Sequence, residues 1–271
     1  MNFIARKIDL FIPLIVGIFS VFVSYNYVGS GVINYIDHQY PFYIADHLNR
    51  LFFAWNDYIY MGYNHSVNLM SNIGYYVIFY LFEKIRFGYV VINRLEHGLA
   101  IFSIVYFTYL FLVSLFRIPL GVREKIALLL VASFSLSNFL NRDLFTMGIS
   151  QQVLAFSGIP IALFGIRKYL LTKNVAYLLL FLLSSLIISS FNLPYSVISL
   201  IVVILFSLLF SDFILAAKLK TIFIFLIIWG SINAYWLFPM AYSVFIEPPY
   251  KMDEAIQGKE GLVDVLMLSS E

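Results

Sequence analysis

The chain of 271 residues contains no cysteine. That excludes disulfides, thiolate metal sites and cysteine nucleophiles, and leaves the redox compartment open. Charge is scarce as well: 12% of the residues are charged, against roughly 25% in soluble domains. The net charge is only +2, and without a basic run to track a phosphate backbone, nucleic acid is excluded as a partner. Internal repeats and low-complexity segments are missing, and with them the duplicated halves that mark many transporters. What fills the sequence is apolar, 62% hydrophobic with 19% aromatic. Lipid must be the solvent for most of this chain, so it reads as an integral, multi-pass protein of the cell membrane.

Ile8 to Val28 is long enough to cross a hydrocarbon core of about 30 Å. Arg6 and Lys7 hold its N-terminus in the cytoplasm, and no small-residue cleavage site follows Tyr25, so it is a retained helix rather than a signal peptide. Six further apolar segments follow: Leu95 to Phe116, Ile126 to Leu140, Ile149 to Ile166, Val175 to Phe191, Tyr195 to Phe213 and Thr221 to Tyr242. The Ile126 segment is short for a crossing, so it extends back to Val122 or sits in thinned bilayer. The expected fold is an all-α polytopic transmembrane bundle of about seven spans. Residues 1–242 form the transmembrane module, with 29–93 as its first outer loop, and 243–271 form an outer tail that reads as the start of a further region. Within the loop, Ala45 to Phe53 and Gly74 to Phe82 are expected as helices lying in the interface plane.

The positive-inside rule sets the orientation. With seven spans Arg6, Lys7, Arg117, Arg123, Lys125, Arg167, Lys168, Lys173, Lys218 and Lys220 lie inside, ten of the 17 basic residues. Making Ile73 to Phe82 a span flips everything after it and leaves eight inside, with three tight basic loops outward. The N-terminus is therefore read as inside and the C-terminus as outside. The inner loops look like topology signals and nothing more, which assigns chemistry to the outer face.

Asp37 lies just beyond the first span and before Tyr40-Pro41-Phe42, where the proline biases Tyr40 to an extended form. A carboxylate near lipid is costly and is a candidate site; its bland reading is a solvated loop acid. Asp143, in Asn141-Arg142-Asp143, is a second acid at the outer end of the third span. Two facing acids bind a divalent cation, or split into base and stabiliser; the competing account is an Arg142/Asp143 pair snorkelling at a helix end. Arg94 enters the second span from outside and offers a planar fork for a lipid phosphate, against a structural arrangement with Glu96. Arg50 and Arg142 are weaker candidates for the same contact. His38, His47, His65 and His97 all fall on the outer side without the spacing of a zinc site. Tyr40, Trp55 and their aromatic neighbours suit sugar rings, and equally an interfacial belt. Asn64-His65-Ser66 matches a glycosylation triplet and supports an outward loop.

Together these features resemble the polytopic glycosyltransferases of the GT-C superfamily. The resemblance is carried by Asp37 in the first outer loop, Tyr40-Pro41-Phe42, the Trp55-Asn56 to Gly62 stretch, and the Gly74-to-Gly88 helix running into Asn93-Arg94, with Asn141-Arg142-Asp143 where many members place a second acid. It implies transfer of a sugar from a polyprenyl-phosphate donor to an acceptor on the outer face. It further implies Asp37 as catalytic acid with Asp143 as partner, Arg94 as phosphate contact, His38, Tyr40 and Trp55 lining the substrate, and Mg or Mn as a cofactor carried by the two acids. The second outer loop lacks the Asp-x-Asp or Glu-x-Asp pair common in that family.

The alternative is a non-catalytic polytopic protein: a lipid-binding or assembly subunit, or a transporter. A transporter needs ionisable groups or broken helices near the midplane. Val175 to Phe191 and Tyr195 to Phe213 have no such groups near their middles, and Gly158 and Pro160 are expected to interrupt one span only. The enzyme reading requires Asp37, Asp143 and Arg94 to line one outward cavity.

Overall fold

The computed structural model describes residues 2–30, 55–56, 63–64, 73–116, 118–137, 150–191, 193–209 and 215–245. Eight helices lie among them: α1 (Asn2–Val28), α2 (Ile73–Lys84), α3 (Tyr89–Leu115), α4 (Val122–Ser133), α5 (Ser150–Thr172), α6 (Ala176–Phe191), α7 (Leu193–Leu209) and α8 (Leu215–Phe245). A 3₁₀ turn, Phe134–Ser137, continues α4. Among the described residues the one departure from an all-helical arrangement is a two-residue antiparallel pair, β1 (Trp55–Asn56) and β2 (Tyr63–Asn64), with Trp55 opposite Asn64. Tryptophan and tyrosine favour strands, which accounts for this small exception inside the predicted first outer loop.

Among the described residues three helices are long and apolar enough to cross a membrane: Phe11–Val28, Tyr89–Leu115 and Gln152–Thr172. Shorter apolar helices run from Ala176 to Ile188 and from Ser196 to Leu209. The α4 helix does reach back to Val122. The second apolar helix begins at Tyr89 rather than Leu95, because the amides of Val91 and Ile92 bond back to the carbonyl of Gly88, whose own backbone is extended. Residues 89–93, expected at the end of the first outer loop, are therefore helical. Likewise α2 forms over the Gly74 to Phe82 stretch, whereas Ala45 to Phe53 lies outside the described residues.

Burial explains the arrangement. On α1 the buried residues are Ile12, Val16, Ser20, Ser24 and Val28, a strict every-fourth stripe that contacts the bundle along one narrow ridge. Phe11, Ile15, Phe19 and Phe22 point outward, as lipid-facing side chains do. Helix α3 packs on α1, α4 and α5 and is buried over a broad face; α5, the most deeply buried of the three long helices, packs on α3, α6 and α7.

Two glycines a heptad apart seat α6 against α5. A Cβ on Gly158 would stand 2.3 Å from Ile188 Cγ1 and 3.2 Å from the Ser184 carbonyl, and one on Gly165 3.0 Å from the Tyr177 carbonyl. Only hydrogen fits there. The helix also runs without a break through Gly158 and Pro160, so the expected interruption does not occur. Neighbouring helices supply the packing that holds a proline-bearing helix together. The α5–α6 turn is closed by Lys173 in the left-handed region (φ 56°), and Asn174 Oδ1 caps α6 through the Ala176 amide at 2.9 Å.

A polar clasp joins α6, α7 and α8. Fully buried Asn233 donates to Ser185 Oγ (3.0 Å) and to the Trp229 carbonyl (2.8 Å), and Trp229 Nε1 donates to Ser196 Oγ at 3.2 Å. Ser196 in turn reaches Asn233 Oδ1 at 3.4 Å. These groups satisfy one another, as polar side chains do where helices associate in lipid.

Three of the basic residues, Arg167, Lys218 and Lys125, make contacts between helices. Arg167 donates to the Ser114 and Leu115 carbonyls at 2.9 and 3.2 Å, and Lys218 to the Leu208 carbonyl at 2.9 Å. Cations there satisfy the orphan carbonyls of helix C-termini. Lys125, itself buried, grips both carboxylate oxygens of Asp9 at 2.6 and 2.7 Å and staples α4 to α1.

Candidate functional site

Arg94 sits in the second turn of α3, opposite the last turn of α1. The Ser24 hydroxyl donates to the Arg94 carbonyl, and Arg94 Nη2 donates to the Gly29 carbonyl just past the end of α1. The guanidinium carbon lies 4.1 Å from the centre of the Tyr25 ring, a cation–π contact that fixes the plane of the fork. Nε–H is buried with no partner. An arginine has five N–H donors, so an anchored guanidinium with unmet hydrogen-bonding capacity stands at this end of the bundle. Glu96 is not its counter-ion among the described residues. Residues two apart face different sides of a helix, and Glu96 instead accepts from Asn93 Nδ2 at 3.2 Å, both side chains being buried.

A cavity of about 480 Å³ runs down the seam from Arg94, lined by α1 between Gly17 and Tyr25 and by α3 between Val91 and Phe102. Its flank is open, since Val21 and Tyr25 are 63% and 58% exposed. The walls are apolar or small, with the single cation at one end. The two helices are not at their closest possible approach at Gly98: a Cβ there would lie 3.6 Å from Ser24 Cβ, ordinary contact. An apolar slot headed by an arginine is chemically matched to an anion carrying a hydrocarbon chain.

One turn along α3, His97 is 1% exposed and faces the core beside the Tyr27 ring, 5.6 Å between centroids. Its Nδ1 lies 2.9 Å from the Asn93 carbonyl. A carbonyl only accepts, so Nδ1 carries a hydrogen, while Nε2 is buried without a partner. The adjacent buried pair Glu96-His97 in an apolar helix was signalled in the sequence only as a charged step beside Arg94.

Of the residues expected at the site, Arg94 lines a cavity. Asp37, Asp143, Arg50, Arg142, His38 and Tyr40 lie outside the described residues, and Trp55 is described only as the first residue of β1. The described residues contain no group of three or more His, Cys, Asp or Glu arranged to hold a metal ion. Comparison with protein-family models, with curated proteins and with solved structures found no match.

Proposed function

We propose that this chain is a polytopic membrane glycosyltransferase of the GT-C type, moving a sugar from a polyprenyl-phosphate donor to an acceptor on the outer face. The observation that carries the reading is Arg94 at the head of the apolar α1/α3 cavity, the meeting of phosphate charge and lipid chain that such a donor requires. The full reading has seven spans, the N-terminus inside and the C-terminus outside. It draws support from the basic residues near the ends of α3, α5 and α7 and the starts of α1 and α4, the end opposite Arg94.

In this reaction an acceptor oxygen attacks the anomeric carbon while the bond from that carbon to the phosphate oxygen breaks. The electron pair leaves on the lipid phosphate, Asp37 takes the acceptor proton, and Arg94 stabilises the negative charge left behind. Arg50 and Arg142 are further phosphate contacts, and His38, Tyr40 and Trp55 line the sugar. Asp37 and Asp143 are the residues that would hold Mg or Mn, which when bound would add positive charge beside the leaving phosphate.

The test is transfer of labelled sugar from a lipid-phosphate donor by wild type and Asp37→Asn. Loss of a proton acceptor is expected to cost about a hundredfold or more in rate. Equal transfer by the two would remove the catalytic assignment and leave a lipid-binding or assembly subunit, or a transporter.

A further inference from the structure

We infer that Gly17 and Phe102 form the floor of the α1/α3 cavity and limit how much of a single lipid chain it grips below Arg94. The anchor of that chain rests on the reading of Arg94 as a phosphate contact; the floor rests on geometry alone. Gly17 lies eight residues before Tyr25 on α1, and Phe102 eight after Arg94 on α3, so each wall is about 12 Å long at 1.5 Å per residue. At the far end the position of a Gly17 Cβ is 4.0 Å from Phe102 Cε2. The Phe102 ring is braced from behind by stacking on Tyr106, 5.2 Å between centroids. A side chain at position 17 would fill the slot from below, and the glycine leaves it open down to the ring.

The occupant is one hydrocarbon chain bearing a phosphate. A space of about 480 Å³ lies in the lower part of the roughly 300–1,000 Å³ range of small-ligand pockets, which suits the first stretch of one chain better than two side by side. Entry is lateral, past Val21 and Leu99, both exposed on the open flank. The head of the slot has a cation and no described carboxylate in its lining, which complements a phosphate. Chain beyond the floor leaves the protein and contributes nothing to recognition.

Full-length protein in lipid nanodiscs is photolabelled with three probes, each with a diazirine about 12 Å along the chain, the length of the slot: a single-chain lipid phosphate, the same chain ending in an alcohol, and a diacyl phosphatidic acid. Peptide mapping by mass spectrometry reads the site. The single-chain phosphate is expected to label around Phe102. Gly17→Phe is expected to reduce that labelling about tenfold, equivalent to about 1.4 kcal/mol, and move it up to Val21 and Leu99. Phe102→Ala tests the floor from the other direction: with a fourth probe, the single-chain phosphate carrying its diazirine one helical turn deeper, it is expected to label more strongly than wild type. Labelling unchanged in both variants, or equal labelling by the diacyl probe, overturns the inference. Equal capture of alcohol and phosphate with both variant effects intact supports the floor, while removing the Arg94 anchor on which the functional reading stands.

Discussion

The seam between α1 and α3 and the seam between α5 and α6 both rely on small residues, yet one holds a cavity and the other leaves no room for a methyl group. At Gly98 the nearest atom to an added Cβ is at 3.6 Å; at Gly158 it is at 2.3 Å. The looser seam is fastened at its end by polar bonds between Ser24, Gly29 and Arg94, and its flank stays open. The tighter one is fastened along its length by contact between backbones. In lipid, where hydrophobic transfer contributes little between helices, close packing stabilises association. The α5/α6 seam therefore suits a scaffold, and the α1/α3 seam suits a ligand.

Substitution at the glycines should break this contrast most visibly. Gly158→Leu is expected to cost about 3 kcal/mol, the upper range for overpacking, in thermal unfolding in detergent, whereas Gly98→Ala should cost about 1 kcal/mol or less. Similar losses at the two positions would mean the seams do not differ. Arg94→Gln sharpens the comparison from the other side: stability should hold within about 1 kcal/mol, while affinity for a single-chain lipid phosphate falls by about 1.5–3 kcal/mol, as for hydrogen bonds to charged groups. Calorimetric titration in detergent checks the second figure. Asn233→Ala removes the clasp behind α6 and should destabilise by about 1 kcal/mol, the scale of interhelical polar contacts in membranes. An unchanged melting temperature would mean that packing alone carries that region. The smallest effect is expected at the turn of the tight hairpin, where Lys173→Gly relieves a left-handed backbone and should stabilise by roughly 0.5–1 kcal/mol.

Helix existence was legible because apolar runs of this length permit little else in lipid. The start of α4 at Val122 is one of the two outcomes its shortness allowed. Boundaries shifted where a local bond decided them, as at Gly88, where the backbone carbonyl takes two amides. The seven-residue spacing of Gly158 and Gly165 was present in the sequence, but which helix approaches that closely is a tertiary fact. The partners of Arg94 were equally hidden: Ser24 and Gly29 are 70 and 65 residues away, and no periodicity connects them. Asp9 and Lys125 are 116 residues apart, and no sequence pattern pairs them. Arg94 itself was identifiable because a permanent cation entering an apolar helix has few affordable surroundings.

The capping of α3 by Arg167 also determines how the orientation of this chain should be probed. Charge-reversal scanning normally treats each loop cation as an independent vote on sidedness. At Arg167 a reversal would also uncap the Ser114 and Leu115 carbonyls, so a folding defect would be scored as an inverted insertion. Lys220, exposed near the start of α8, is a cleaner ballot: reversing it changes the charge at this end of α8 while leaving the Arg167 contacts to the end of α3 in place.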